Sequence, residues 1–292
     1  MDEQTFETTL ASIRADRERG ASELARECLA VMAETARHTL AKDEAELNGL
    51  LHRRAECLAQ ARPSMAPIYN LLQRWLTLFN NERDVGLGTA RVQAARLADE
   101  LIEYSLRAVG ETARQLASHL GPDRTLMTHS LSSTVLAVFR GLHGQGLKAI
   151  ITESRPLYEG RLLAKRLSDW HVPTTLITDA QIGLFVSQAD AVVIGADSLL
   201  PDGSLVNKAG SYPLALAARD QGVPFYVCCE SFKRRSEAMG VPELEAMDAT
   251  ELDGPELSDV QVQNIYFDIT PARLISAWFD EKGMHPNPHV GG

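Results

Sequence analysis

Up to about residue 120, apolar side chains recur every three to four positions. Leu24, Cys28, Leu29 and Met32 make one stripe, and Leu47, Leu50, Leu51 and Leu58 a second. Ile68, Leu71, Leu72, Trp75, Leu76 and Phe79 make a third, read as the core face of a helix. From Thr89 to Leu120 the spacing continues through Val92, Ala95, Leu97, Leu101, Ile102 and Leu106. That period is the signature of amphipathic helices. Breaks are predicted at Arg62-Pro63 and across Asp84–Gly88, where proline and glycine interrupt a helix.

After Gly121-Pro122-Asp123 the rhythm changes to short apolar runs alternating with helical stretches. Strands are predicted at Arg124–Thr128, Lys148–Thr152, Thr174–Thr178, Ala191–Gly195 and Pro224–Cys228. Helices are expected at Ser133–Leu142, Gly160–Trp170, Gln181–Val186 and Ser211–Gln221. The tail reads as a strand near Ile265–Ile269, a helix over Pro271–Asp280 and a polar end from His285 to Gly292. Apolar strands with intervening helices indicate a parallel sheet covered on both faces. The fold class is therefore α/β: a helical N-terminal domain, 1–121, followed by a parallel-sheet, ligand-binding domain, 122–292.

In such sheets ligands sit beyond the strand carboxyl ends, where loops present side chains and helix N-termini present free N–H groups. The polar clusters fall there: Thr128–Ser133, Thr152–Pro156, Thr178-Asp179, Gly195–Asp197 and Glu230–Lys233. Asn207-Lys208-Ala209-Gly210-Ser211 precedes the helix before the last core strand. Hydroxyls, carboxylates and cations on five strand ends make one polar crevice, suited to a small phosphorylated metabolite.

Charge narrows the partners. The net charge of −10 argues against a direct nucleic-acid partner, which needs a clustered basic face. No apolar run reaches the roughly 20 residues that span a bilayer, and the acidic N-terminus has no signal-peptide pattern, so a cytoplasmic protein is expected. Cys28, Cys57, Cys228 and Cys229 lack zinc-ligand spacing and read as small buried hydrophobes. His285 and His289 lie in a Pro/Gly/His tail, and neither a metal site nor a cofactor is expected. Gly141–Gly146 is glycine-rich but follows a helix and lacks dinucleotide spacing.

The strand-end clusters also form a family pattern. Thr152–Arg161 (TESRPLYEGR), Val193–Asp197 (VIGAD), Pro201–Gly210 (PDGSLVNKAG) and Pro224–Lys233 (PFYVCCESFK) occur in order, with Tyr266–Pro271 (YFDITP) behind them. Arg19–Ala25 (RGASELA) and Ala61–Ser64 (ARPS) precede them. The chain resembles the family of the alpha, beta and delta subunits of eukaryotic translation initiation factor 2B, which also holds ribose-1,5-bisphosphate isomerase and methylthioribose-1-phosphate isomerase. The resemblance implies a Rossmann-like second domain, assembly as a homodimer or larger homo-oligomer, and a sugar phosphate as ligand. It implies that Arg19, Gly20, Ala21 and Arg62 hold the ligand from the N-terminal side, that Asn207 and Lys208 are the binding Asn-Lys pair, and that Lys233 reaches a second phosphate. Asp197 matches the catalytic aspartate.

Two positions depart from the isomerases. Their catalytic cysteine after Thr-His is Ser130 here, and their glutamine before the glycine is Glu159. Both departures look like the translation-factor side of the family. An aldose 1-phosphate has its anomeric oxygen esterified, so opening the ring needs an acid at the ring oxygen. Asp197 is the candidate acid, a role that burial can support. Ser130 is the other candidate catalytic position, or a hydrogen-bond donor to bound ligand. A serine needs an adjacent base, and His129 should point to the opposite strand face as a hydrogen-bonded core histidine. Arg62 and Lys208 suit phosphate. Glu159 would repel phosphate and accept hydrogen bonds from sugar hydroxyls, and Arg155 pairs with Glu153 or Asp179. Two functions follow: a sugar-phosphate binder acting as an aldose–ketose isomerase on a phosphorylated pentose, or a non-catalytic regulatory or assembly subunit.

Overall fold

A computed structural model of the chain describes residues 1–81, 85–240, 242–255 and 257–287. The expected loop residue Asp84 and the tail histidine His289 lie outside the described residues. The chain divides into two compact units, Met1–Arg107 and Ala108–Gly292. The division falls inside one long helix, ahead of the Gly121 turn where the sequence rhythm changes.

In the first unit, α1 (Glu3–Ala15), α2 (Ala21–His38), α3 (Glu44–Ala59) and α4 (Ala66–Asn80) precede α5 (Leu87–Leu120). Local chemistry sets their ends. Asp2 and Asp43 accept amide hydrogens from Thr5 and Glu46, capping α1 and α3. Pro67 sits in the first turn of α4, where its missing N–H costs nothing. The predicted stripe on α4 is the core face: Trp75 is fully buried, stacks on Phe79 with ring centroids 5.4 Å apart, and donates its indole N–H to the Ala94 carbonyl. Cys57 departs from the expected burial and is exposed. The buried face of α3 is taken by Leu47, Leu51, Ala55 and Leu58.

The second unit holds a seven-stranded sheet in the order β10-β9-β7-β4-β1-β2-β3. Its strands are β1 (Thr125–Thr128), β2 (Lys148–Thr152), β3 (Thr174–Ile177), β4 (Ala191–Ile194), β7 (Phe225–Cys228), β9 (Ala277–Asp280) and β10 (Gly283–Pro286). All neighbours pair in parallel except β10, which returns antiparallel on β9. Helices α6 (Ser133–Leu142), α7 (Glu159–Asp169), α8 (Ile182–Phe185) and α9 (Ser211–Asp220) punctuate the strands. Two apolar clusters pack in this unit, one around Met127, Val192, Leu214 and Phe225, the other around Leu126, Phe139, Ile151 and Val193. Residues adjacent on β1 and on β4 thus go to different clusters, as strand alternation requires.

A second, antiparallel sheet β5-β6-β8 joins β5 (Ser198–Leu199), β6 (Leu205–Lys208) and β8 (Phe267–Thr270). It carries Asn207 and Lys208. The helix expected over Pro271–Asp280 is not formed. A short 3-10 turn at Ala272–Leu274 leads into β9, whose four residues are all buried. The polar end expected from His285 also begins later, since His285 is in β10 and pairs with Asp280 at 2.9 Å.

Candidate functional site at the strand carboxyl ends

At the end of β1, His129 is buried and held at both ring nitrogens. One nitrogen, Nε2, is 2.8 Å from the Ala209 carbonyl oxygen, which can only accept, so Nε2 carries the proton. Nδ1 lies 2.6 Å from the Thr152 hydroxyl and accepts from it in the neutral ring. Burial pushes the His129 pKa down, against the Ala209 contact and the nearby Asp179 and Glu159 carboxylates. Thr152 and Ala209 engage the two nitrogens, although the strand whose alternation was expected to separate His129 from Ser130 already ends at Thr128. His129 is no base for that serine.

Ser130 itself adopts φ 65° and donates its backbone N–H to Ser154 Oγ at 2.7 Å. Ser154 and Tyr158 also have positive φ, 60° and 58°. Such backbone in residues with a Cβ costs on the order of 1 kcal/mol each and gathers at ligand sites. The Asp179 carboxylate offsets part of it, accepting from the backbone amides of Ser154 and Arg155 at 2.9 and 2.8 Å. The Arg155 guanidinium takes neither expected partner. It donates to the Leu252 carbonyl at 2.9 Å and meets the Tyr158 hydroxyl, while Glu153 pairs with Arg161 at 2.9 Å.

Glu159 opens α7. Its Oε1 lies 2.5 Å from Lys208 Nζ, and its Oε2 is buried without a hydrogen-bond partner. The residues are 9% and 7% exposed. Lys208 Nζ also stands 4.1 Å from the centre of the Tyr266 ring, a cation–π contact. The Tyr266 hydroxyl donates to Glu251. Gly160 is required beside Glu159, because a Cβ there would fall 1.8 Å from the Thr152 carbonyl oxygen.

Asn207 and Lys208 have different partners, as neighbours on a strand must. Asn207 Nδ2 donates to Ser211 Oγ at 2.9 Å. Across the ladder from Asn207 is Asp268, whose Oδ2 accepts from the amides of Gly210 and Tyr212 at 2.7 and 3.0 Å and so caps α9. Burial pushes Asp268 up to about 6, against these amide donors, and its Oδ1 is buried without a partner.

Asp197 is half-buried after β4, and its amide donates to the Val206 carbonyl at 2.9 Å. Lys233 follows β7, is 3% exposed, and pairs with the fully buried Glu230 at 3.1 Å. Burial opposes the Lys233 charge, but Glu230, then Cys229 and Asp197, outweigh it and raise its pKa. The Lys233 segment reaches β5 through the Arg235 amide, bonded to the Leu199 carbonyl at 2.8 Å. Two charged groups thus follow strands of the second unit, Lys208 with Glu159 and Lys233 with Glu230 and Asp197.

In the first unit, Arg19 and Arg62 share Asp16. Arg62 donates to the Asp16 carbonyl at 3.0 Å, and Arg19 Nε to the Asp16 carboxylate at 2.9 Å. Partial burial works against the Asp16 charge, yet the Arg19 and Glu18 donors hold its carboxyl below the usual range. Gly20 is the N-cap of α2 and Ala21 its first residue, with no side chain capping the turn. The Glu23 and Leu24 amides both donate to the Gly20 carbonyl, at 3.0 Å.

Residues 17–287 match the initiation factor 2 subunit family. The chain belongs to that family. Within the initiation factor 2 subunit family it is 34% identical over 285 residues to a translation initiation factor eIF-2B subunit 2-like protein of Pyrococcus horikoshii, covering 94% of each chain. It is 31% identical over 283 residues to ribose 1,5-bisphosphate isomerase of Archaeoglobus fulgidus, covering 94% of this chain and 87% of that one. The crystal structure of the P. horikoshii translation initiation factor eIF-2B superposes with a TM-score of 0.84 at 31% identity, covering 99% of this chain and 98% of that one. The P. horikoshii 5-methylthioribose 1-phosphate isomerase shares the fold, with a TM-score of 0.78 at 22% identity over 97% of this chain and 85% of that one.

Sequence reasoning passed over Tyr266 and Asp268 as site residues. Both sit in a segment that read as a strand and as a piece of the family pattern without an assigned role, and nothing in a period-2 pattern tells which neighbour a polar side chain meets. Among the described residues no group of three or more His, Cys, Asp or Glu side chains converges as metal ligands, and no helix is long and apolar enough to cross a membrane.

Proposed function

We propose that this chain binds a phosphorylated sugar at the carboxyl ends of its parallel strands, with Asp197, Lys208, Lys233 and Glu159 facing the ligand. The observation that carries the reading is the buried Lys208–Glu159 pair at 2.5 Å beside a carboxylate oxygen that lacks a partner. Buried polar atoms are normally satisfied, and an unsatisfied one calls for an explanation. A sugar hydroxyl donates well to it. Asn207 supports the site from the start of α9. In the first unit, Arg19 and Arg62 near the first turn of α2, with Gly20 and Ala21, make a candidate anion site in its own right.

Relatives named ribose 1,5-bisphosphate isomerase favour an aldose–ketose isomerase acting on a phosphorylated pentose, with Asp197 as the acid. A different observation favours the non-catalytic reading: Ser130 stands where the isomerases carry cysteine, and the His129 ring is committed to Thr152 and Ala209. We place binding first. Relatives named as initiation-factor subunits agree with that order, and with assembly into an oligomer.

The test is a thermal melt with ribose 1-phosphate, ribose 1,5-bisphosphate and methylthioribose 1-phosphate, with products followed by NMR. A melting shift with at least one sugar phosphate, lost in Lys208→Met, is expected. No shift with any of the three defeats the reading. Turnover abolished by Asp197→Asn selects the isomerase, and a shift without turnover selects the binding subunit.

A further inference from the structure

We infer that Glu159 is a charge-selective specificity residue, which makes the strand-end site prefer a sugar carrying one phosphate to a sugar carrying two. The inference rests on the sugar-phosphate reading above and concerns which sugar phosphate is taken.

The argument begins with the two oxygens of Glu159. Oε1 engages Lys208 Nζ at 2.5 Å, so the nearer of the two buried lysines already has a full counter-charge. Oε2 is buried and without a partner, in a residue only 9% exposed. A carboxylate oxygen can only accept, so the group that satisfies it must bring a hydrogen. A sugar hydroxyl does. A phosphate dianion has no proton to give at neutral pH and meets a like charge at a short distance, where partial burial weakens screening.

Two further cations among the described residues are also engaged. Lys233 pairs with Glu230 at 3.1 Å and is also influenced by Asp197. The Arg155 guanidinium reaches for the Leu252 carbonyl. Glu159 faces Lys208, while Glu230 and Asp197 act on Lys233, so carboxylates outnumber ammonium groups among these side chains. Tyr266 holds Lys208 from its other side through its ring face, at 4.1 Å, keeping the ammonium near Glu159. This part of the site therefore reads hydroxyls and rejects a second phosphate. Changing Glu159 to the isosteric amide removes the repulsion and releases Lys208 to meet an anion.

The experiment is titration calorimetry of wild type and Glu159→Gln with ribose 1-phosphate and with ribose 1,5-bisphosphate at one ionic strength. Wild type should bind the monophosphate more tightly. Glu159→Gln should shift the affinity ratio toward the bisphosphate by about tenfold, the effect of about 1.4 kcal/mol. A shift below threefold overturns the inference while leaving sugar-phosphate binding intact. If Glu159→Gln does not fold, wild type alone decides, because tighter binding of the bisphosphate overturns the inference equally. Binding of neither sugar by folded wild type removes the underlying reading, and the inference falls with it.

Discussion

His129 and Gly210 meet at closest approach: a Cβ on Gly210 would stand 2.5 Å from His129 Nε2, the nitrogen that donates to the Ala209 carbonyl. Gly210 also has φ 114°, a conformation that L side chains rarely adopt. The glycine that introduces α9 thus lets the core histidine of β1 bond the β6–α9 connection.

Gly210→Ala should therefore destabilise the protein twice over, by backbone strain and by displacing the imidazole. A loss of about 1–3 kcal/mol is expected, read as a lower urea midpoint at unchanged m-value. An unchanged midpoint would show that the His129–Ala209 contact yields freely.

Gly160→Ala should be at least as damaging. Its Cβ would sit 1.8 Å from a backbone oxygen of β2, and backbone retreats less readily than the end of a side chain. The loss is again about 1–3 kcal/mol or more, measured by urea unfolding, and it should weaken sugar-phosphate binding because Glu159 is the adjacent residue.

Glu230→Gln should cost about 3–5 kcal/mol, since it leaves Lys233 buried without its nearest counter-charge. The sign of the pH effect follows from the raised Lys233 pKa. The pair's stabilisation is present below the unfolded lysine value and is lost as pH rises through the higher folded one. Wild type should therefore lose stability above about pH 10.4 more steeply than Glu230→Gln, as comparison of their melting temperatures will show.

Asp268 works with the same sign at a lower pH. Its folded pKa of about 6 exceeds the ordinary 3.8, so its favourable contribution is present below 3.8 and is lost as pH rises to 6. The melting temperature of Asp268→Asn relative to wild type should rise between about pH 4 and pH 6 and level off above. A difference that is flat across that window would mean the carboxyl titrates normally.

The outline of the second unit was legible because β1, β2, β4 and β7 are apolar runs bounded by turn residues, and each formed where the pattern predicts. β9 was not. Leu274, Ile275, Trp278 and Phe279 recur at helical spacing, yet Ala277–Asp280 is buried on both faces as a strand beside β7, where periodicity carries no information. The family pattern marked Lys208 and Glu159, and Lys208 also stood in a polar run before a helix. Their contact arises from a crossing of two segments distant in sequence, which no local rule encodes. Asn207 was legible as a neighbour of Lys208, but strand alternation sent it to Ser211 instead of Glu159.

The three-stranded sheet imposes an order of manufacture. β6 lies between β5, made just before it, and β8, made some sixty residues later, after the long excursion that follows β7. A nascent chain that has emerged only as far as residue 265 holds Lys208 yet lacks the tyrosine ring and the ladder partner that restrain it. Until β8 arrives, β6 presents an unsatisfied edge, so the surroundings of Lys208 are completed only by a segment made long after Lys208 itself.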